Sequence, residues 1–331
     1  MPQSQKSTNT ITPFVRMQQA VDIVGSSLHP ANKIAATLFG KDRNGKEFSV
    51  SRTNFWPPSI LEKIGTEDRI GSASGTVHAE TSCLLAAPAP TDGAGLCITD
   101  PFCPNCAKNM AEAGIRTVYI DHKGFKKDFV ARRAHAFEDM SMRICEKAGI
   151  SVYELWRKEE RLIPILQFSP SYVPPEDSPV EHKPVNHADK NSFMATVRSI
   201  QDRHHSRKIA VALVKDIHGT YEILTARLHP AIGYTMKTDT SEIENPQGKY
   251  SFMLEPVGRL LMHAARRGLK IQDGFLYVTQ APTARELVNM VGAGLSFLYV
   301  DDPTRSRDAQ GIEALRTLKS RGIIDFQALT G

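Results

Sequence analysis

Gly75-Thr-Val-His78-Ala-Glu80, with its sequel Asp100-Pro-Phe-Cys103-Pro-Asn-Cys106, decides how this chain is read. The two runs offer one imidazole, a carboxylate two residues on, and two thiols in C-x-x-C spacing. A catalytic zinc keeps three protein ligands and leaves its fourth position to water, whereas a structural zinc is closed by four. His78, Cys103 and Cys106 supply three, and Glu80 is left to move protons. Each part alone has a plainer meaning. C-x-x-C also serves as a redox pair or half of a structural zinc site, a histidine at a helix start serves as a cap, and a glutamate there complements the helix dipole. The conjunction carries the reading.

Working outward, Thr76 to Ala87 places Val77, Cys83, Leu84 and Leu85 in a buried helix opening at His78. Leu96-Cys97-Ile98-Thr99 reads as a short strand running into the cysteine motif. Pro104 suits a first helical turn, and Ala107 to Ala113 continues that helix to a stop at Gly114. Arg116 to Asp121 is the next strand, parallel to its predecessor because such crossovers are right-handed. Both ligand groups therefore open helices, where backbone N–H groups favour thiolate, the form that binds metal. Upstream, Phe14, Met17, Val21 and Val24 mark an amphipathic helix from Pro13 to Ser26. A hairpin turning at Asp42-Arg-Asn44-Gly45 follows and delivers Thr53-Asn54-Phe55-Trp56-Pro57 to a loop before the metal motif. Downstream, a helix from Phe129 to Ala148 closes at Gly149, and Ile150 to Trp156 is a short apolar stretch.

H-x-E answered by P-C-x-x-C is the signature of the zinc nucleobase deaminases. Over about residues 14 to 155 the chain resembles the zinc-dependent cytidine and deoxycytidylate deaminase superfamily, with Phe102 inserted between Pro101 and Cys103. The resemblance implies an α/β fold, a cytidine deaminase-like three-layer α/β/α sandwich on a mixed five-stranded sheet. It implies Zn2+ held by His78, Cys103 and Cys106, Glu80 as the catalytic acid/base, and Asn54, Ala79 and Phe102 at the substrate. The implied reaction is hydrolytic deamination of a cytosine nucleoside or nucleotide to the uracil product and ammonia. Deoxycytidylate is favoured over free cytidine, because the cytidine branch commonly has cysteine where His78 stands and the run Cys103-Pro-Asn-Cys-Ala-Lys resembles the other branch. Deamination of another aminated ring (tRNA adenosine, guanine, a pterin or riboflavin precursor) is the alternative. A non-catalytic binding or regulatory protein on a vestigial fold is a further one.

Several flanking residues keep two readings. Asn54 either bonds the substrate's sugar, as the resemblance implies, or stabilises a turn. Phe55, Trp56 and Phe102 either stack on a planar base or belong to the core. Lys123, Lys126, Lys127, Arg132 and Arg133 form either a phosphate-binding lip or a solvated helix face. Cys83, Cys97 and Cys145 are read as small buried hydrophobes.

Beyond a proline-rich stretch the first half recurs. Lys33-Ile-Ala-Ala-Thr-Leu with Asp42 and Gly45 is echoed by Lys208-Ile-Ala-Val-Ala-Leu with Asp216 and Gly219, and Asn109-Met110 with Tyr119-Ile120-Asp121 by Asn289-Met290 with Tyr299-Val300-Asp301. In that register Cys103 falls on Thr283 and Cys106 on Glu286, His78 near Leu254 or Glu255, and Glu80 near Pro256 or Val257. The organisation expected is a tail over 1–12, a catalytic zinc domain over 13–168, a linker over 169–190, and a degenerate deaminase-like copy over 191–331. No cysteine follows Cys145, so the second copy cannot rebuild the site. Its expected use is packing: a pseudo-dimer within one chain, or a homo-oligomer, in which the second copy shapes the pocket.

With 331 residues, 41% apolar and 23% charged, the chain suits two globular domains. Five cysteines, an odd number, with two given to metal, point to a reducing compartment and hence the cytoplasm. A net charge of +5 suits an anionic small-molecule substrate and does not call for nucleic acid. No apolar run is long enough to span a bilayer.

Overall fold

The computed structural model describes residues 12–66, 69–127, 136–203, 208–237 and 251–329. The expected tail, apart from Thr12, lies outside them, as do Arg132, Arg133 and the start of the helix expected from Phe129.

In the first half the elements run α1 (Pro13–Ile23), β1 (Ala35–Lys41), β2 (Glu47–Thr53), α2 (Pro58–Lys63), β3 (Arg69–Ile70), β4 (Ala73–Ser74), α3 (Ala79–Leu85), β5 (Gly95–Ile98), α4 (Pro104–Glu112), β6 (Thr117–Asp121), α5 (Met142–Ala148), β7 (Ser151–Trp156) and β8 (Arg161–Leu166). The second half runs β9 (Glu181–Val185), α6 (Lys190–Arg203), β10 (Ile209–Lys215), β11 (Tyr221–Arg227), β12 (His229–Pro230), β13 (Met253–Leu254), α7 (Pro256–Arg267), β14 (Lys270–Gln280), α8 (Ala284–Gly292), β15 (Phe297–Asp302), α9 (Ala309–Ser320) and β16 (Asp325–Ala328).

The two sheets are ordered β2-β1-β5-β6-β7-β8 and β16-β15-β14-β10-β11-β9. In each, a hairpin pairs antiparallel with a run of three parallel strands, β5-β6-β7 and β14-β15-β16. The repeat extends to single hydrogen bonds. β1 and β10 each pair with their hairpin partner over seven positions. In the first turn Asp42 Oδ1 accepts from Asn44 N and Lys46 N, and in the second Asp216 Oδ1 accepts from His218 N and Thr220 N. Gly45 and Gly219 close these turns at φ 77° and 89°, a left-handed conformation that favours glycine.

Each sheet has six strands rather than the expected five, and the extra strand sits on opposite edges: β8 beside β7, β9 beside β11. Both contain a proline, Pro164 and Pro184, which an edge strand tolerates because one side of its backbone needs no partner. β9 lies within residues 169–190, the stretch expected as linker.

Alternation along the strands makes the layers. In β1 and β5, Ala36, Leu38, Leu96 and Ile98 face the main core, while Phe39 and Cys97 turn to the other face, against Phe14 and Met17 of α1. In β10, Ala210, Ala212 and Val214 face that same main core, while Ile209, Val211 and Leu213 meet Phe193, Val197 and Ile200 of α6. Helices α3, α4, α7 and α8 thus lie in one continuous core between two sheets, the apolar burial that fixes the halves against each other. A buried ion pair crosses the same layer: Arg259 Nε stands 3.4 Å from Glu112 Oε2, and the guanidinium also donates to the carbonyls of Arg227 and Ser178.

Candidate metal centre

Strand β5 ends at Ile98, and the chain turns through Asp100-Pro-Phe into α4, whose N-cap is Cys103. The loop after β4 leads into α3, whose N-cap is His78. Neither N-cap residue spends its side chain on capping, so imidazole and thiol are free for a ligand. Asn109 Nδ2 donates to Thr81 Oγ1 at 3.0 Å and ties the two helices together one turn further on.

His78 Nδ1 lies 3.3 Å from Cys106 Sγ and 3.5 Å from Cys103 Sγ, and the sulfurs are 3.7 Å apart. Tetrahedral zinc with ordinary Zn–S and Zn–N bonds spaces its ligands roughly 3.5 Å (N to S) and roughly 3.8 Å (S to S), so the donor set fits that ion. It is the one such group of three His, Cys, Asp or Glu side chains among the described residues. His78 and Cys103 are half-buried and Cys106 is buried, which leaves the group an open side.

Glu80, on the first turn of α3, is buried beside them, and burial pushes its pKa up to about 7, with the imidazole of His78 opposing. Cys103 is held well below the ordinary thiol range by the hydrogen bond it shares with Cys106 and by His78. Burial pushes up the other three thiols, Cys83, Cys97 and Cys145, which face apolar surroundings.

Ala79 is buried as the first residue of α3. Phe102 is buried edge-on to Phe137, with ring centroids 5.4 Å apart, and Trp56 is buried against His29. The backbones of Phe55 and Val77 bond to each other, bringing the end of β2 beside the residue preceding His78. Asn54 is buried there with bonds of its own: Oδ1 accepts from Ser27 Oγ and Ile34 N, and Nδ2 donates to Asn32 O. Within the basic cluster, Lys127 pairs at 2.5 Å with Asp100, a buried carboxylate three residues before Cys103, and Lys126 lies over the ring of Trp156. Sequence reasoning passed over Asp100, although a charge at the end of an apolar strand was its signal.

In the second half, N-caps Glu255 and Thr283 open α7 and α8 where His78 and Cys103 open α3 and α4, and Glu286 takes the position of Cys106. The Glu286 carboxylate does there what an ion would do. Oε1 accepts from Val257 N and Gly258 N, and Oε2 from Thr283 N and Thr283 Oγ1, at 2.9 to 3.1 Å. One carboxylate thus ties both helix N-termini together, favoured by their dipoles. Glu286 borders both a cavity of about 20 Å3, enough for a water, and a cleft of about 370 Å3 shared with Ser72, Asn105 and Lys108 of the first half.

No sequence model of a known family matches the chain. It is 28% identical over 138 residues to an uncharacterized deaminase from the luxG 3' region of Aliivibrio fischeri, a match covering 41% of this chain and 89% of that protein. It is 31% identical over 83 residues to ComE operon protein 2 of Bacillus subtilis (strain 168), covering 24% of this chain and 38% of that one. Among solved structures it is similar to the dCMP deaminase of cyanophage S-TIM5 in complex with dCMP and dUMP, at 22% identity and a TM-score of 0.31, over 42% of this chain and 93% of that one. Among the described residues no helix is long and apolar enough to cross a membrane. The H-x-E and C-x-x-C motifs, the His–Cys–Cys group they assemble and the deaminase homologue agree in likening this chain to the cytidine deaminase superfamily.

Proposed function

We propose that the first half, residues 13–168, is a zinc-dependent hydrolase that deaminates a cytosine nucleotide, deoxycytidylate by preference, to the uracil nucleotide and ammonia. Residues 191–331 are then a degenerate copy without catalysis of its own. The observation that carries this is one group, the three ligand atoms at tetrahedral spacing with Glu80 buried beside them.

When bound, the ion supplies Lewis acidity and acidifies water. The chain's own residues do the rest. The N-termini of α3 and α4 hold two ligands in place before any ion arrives. Glu80, with a pKa near neutrality, takes a proton from water and delivers protons to the ring nitrogen and to the departing ammonia. Water's oxygen replaces the amine, and atoms balance as amine plus water giving carbonyl plus ammonia. Phe102 and Phe137 wall the neighbourhood with apolar surface and exclude bulk water.

Ammonia release, measured against cytidine, deoxycytidine, their monophosphates, adenosine and guanine, tests the reading. Turnover confined to cytosine compounds and strongest with deoxycytidylate is expected, and Glu80→Gln should lose roughly a thousandfold in rate while retaining one zinc per chain. No turnover on any of the panel by zinc-loaded protein would refute it.

A further inference from the structure

The hairpin β3–β4 leads directly into His78, and its two strands pair with each other, outside both six-stranded sheets. What holds it is the second half. Arg285, in the first turn of α8, donates through Nη1 to Thr76 O at 2.5 Å, and Nη2 reaches Ser74 Oγ at 3.4 Å. Asp308 caps α9 by accepting from Gln310 N through Oδ1, and with Oδ2 it accepts from Ser72 Oγ at 2.5 Å.

The backbones also approach closely. A Cβ added to Gly71 would fall 2.3 Å from the carbonyl oxygen of Gln310, and one added to Gly292 would fall 2.5 Å from Val77 Cγ2. Val77 is therefore gripped on two sides, by the bonds to Phe55 within its own half and by α8 of the other. Thr76 and Val77 are the last residues before the metal group. Arg285 also lines, with Ser72 and Asn105, a cleft of about 370 Å3 between the halves. Its charge reaches as far as the Cys106 thiol.

We propose that Arg285 is a positioning residue for the metal group of the first half. By fixing the Thr76 carbonyl it sets the direction in which the backbone enters α3, and so holds His78 Nδ1 against the two thiols, with Asp308 as the second anchor. The metal-free half then acts on catalysis through the loop it holds, and Glu286 keeps the helix that presents Arg285 in place. This rests on His78 ligating a metal, and the test separates the two claims.

The experiment uses the full chain loaded with cobalt, whose thiolate charge-transfer and d–d absorption report the ligand set without turnover. Arg285→Met is expected to release cobalt to a chelator about tenfold faster, to shift the d–d bands, and to lower kcat for deamination about tenfold while KM changes less than about threefold. Arg285→Lys, keeping the charge and losing the fork, should fall between it and the parent. Asp308→Asn should show the same effects more weakly, and it serves with Arg285→Lys if the methionine variant does not fold. Folded variants with the parent's release rate, spectrum and kcat overturn the positioning role, even if their urea midpoints are lower, because that would be stability alone. A parent chain that takes up no cobalt overturns the metal reading itself.

Discussion

Lys108, on the helix that carries both cysteines, inserts its ammonium between the carbonyls of Ser251 and Met253 of the second half, 2.7 Å from each. Burial lowers its pKa to about 8 from the ordinary 10.5, with Glu255 opposing. The unfolded chain keeps its proton to higher pH, so between about 8 and 10.5 it binds more protons than the folded one. Stability must then rise with pH across that window, on the order of 3 kcal/mol if fully expressed. Lys108→Met has no such proton. Urea unfolding at pH 7, 8.5 and 10 should show the parent gaining on the variant as pH rises, and parallel profiles would refute the burial argument.

Glu286 satisfies three buried backbone N–H groups and a hydroxyl. Replacing it by alanine leaves those donors without an acceptor, a loss of about 3 kcal/mol. Glu286→Gln, whose amide cannot accept at both ends, should lose less. Denaturant midpoints measured on zinc-loaded protein check the order parent, glutamine, alanine.

An ion that binds only the folded chain stabilises it by mass action, about 4 kcal/mol at a thousandfold excess over Kd. Chelation should therefore lower the melting temperature by about 5 °C or more, and zinc should restore it. Cys106→Ser should show little response to either. A melting temperature indifferent to chelator in the parent would count against occupancy of the site.

Asn54 makes three side-chain bonds that knit Ser27, Asn32 and Ile34 to the end of β2. Asn54→Ala should cost about 2 kcal/mol of stability. If the urea midpoint is unchanged while KM rises, the residue serves the substrate instead of the fold.

The His–Cys–Cys group was legible because His78 and Cys103 each open a helix, Cys106 follows in the first turn of the second, and the spacing of motif and strand fixed which helices those were. The repeat was legible because Asp42 and Asp216 turn their hairpins with the same bonds, and such turn chemistry is local. The sixth strands were not, because Pro164 and Pro184 read as breakers until one knows that they lie on sheet edges. Thr283 and Glu286 form a capping box, a pattern present in the sequence that went unread. Arg285 and Lys108, and the bond of Asp308 to Ser72, have no period or spacing to betray them, since those partners lie more than a hundred residues away in the chain.

The carboxylate of Glu286 is written into the polypeptide, so it cannot be stripped by a chelator, left vacant in starvation or taken by a competing ion. If the front half holds zinc as proposed, the rear half keeps its shape whatever the supply of that ion, and a demetallated molecule still holds the surface against which the front half sets its loop. On the proposed reading, metal uptake would be the filling of a prepared mould instead of a condition for folding, and each polypeptide would ask the cell for a single ion.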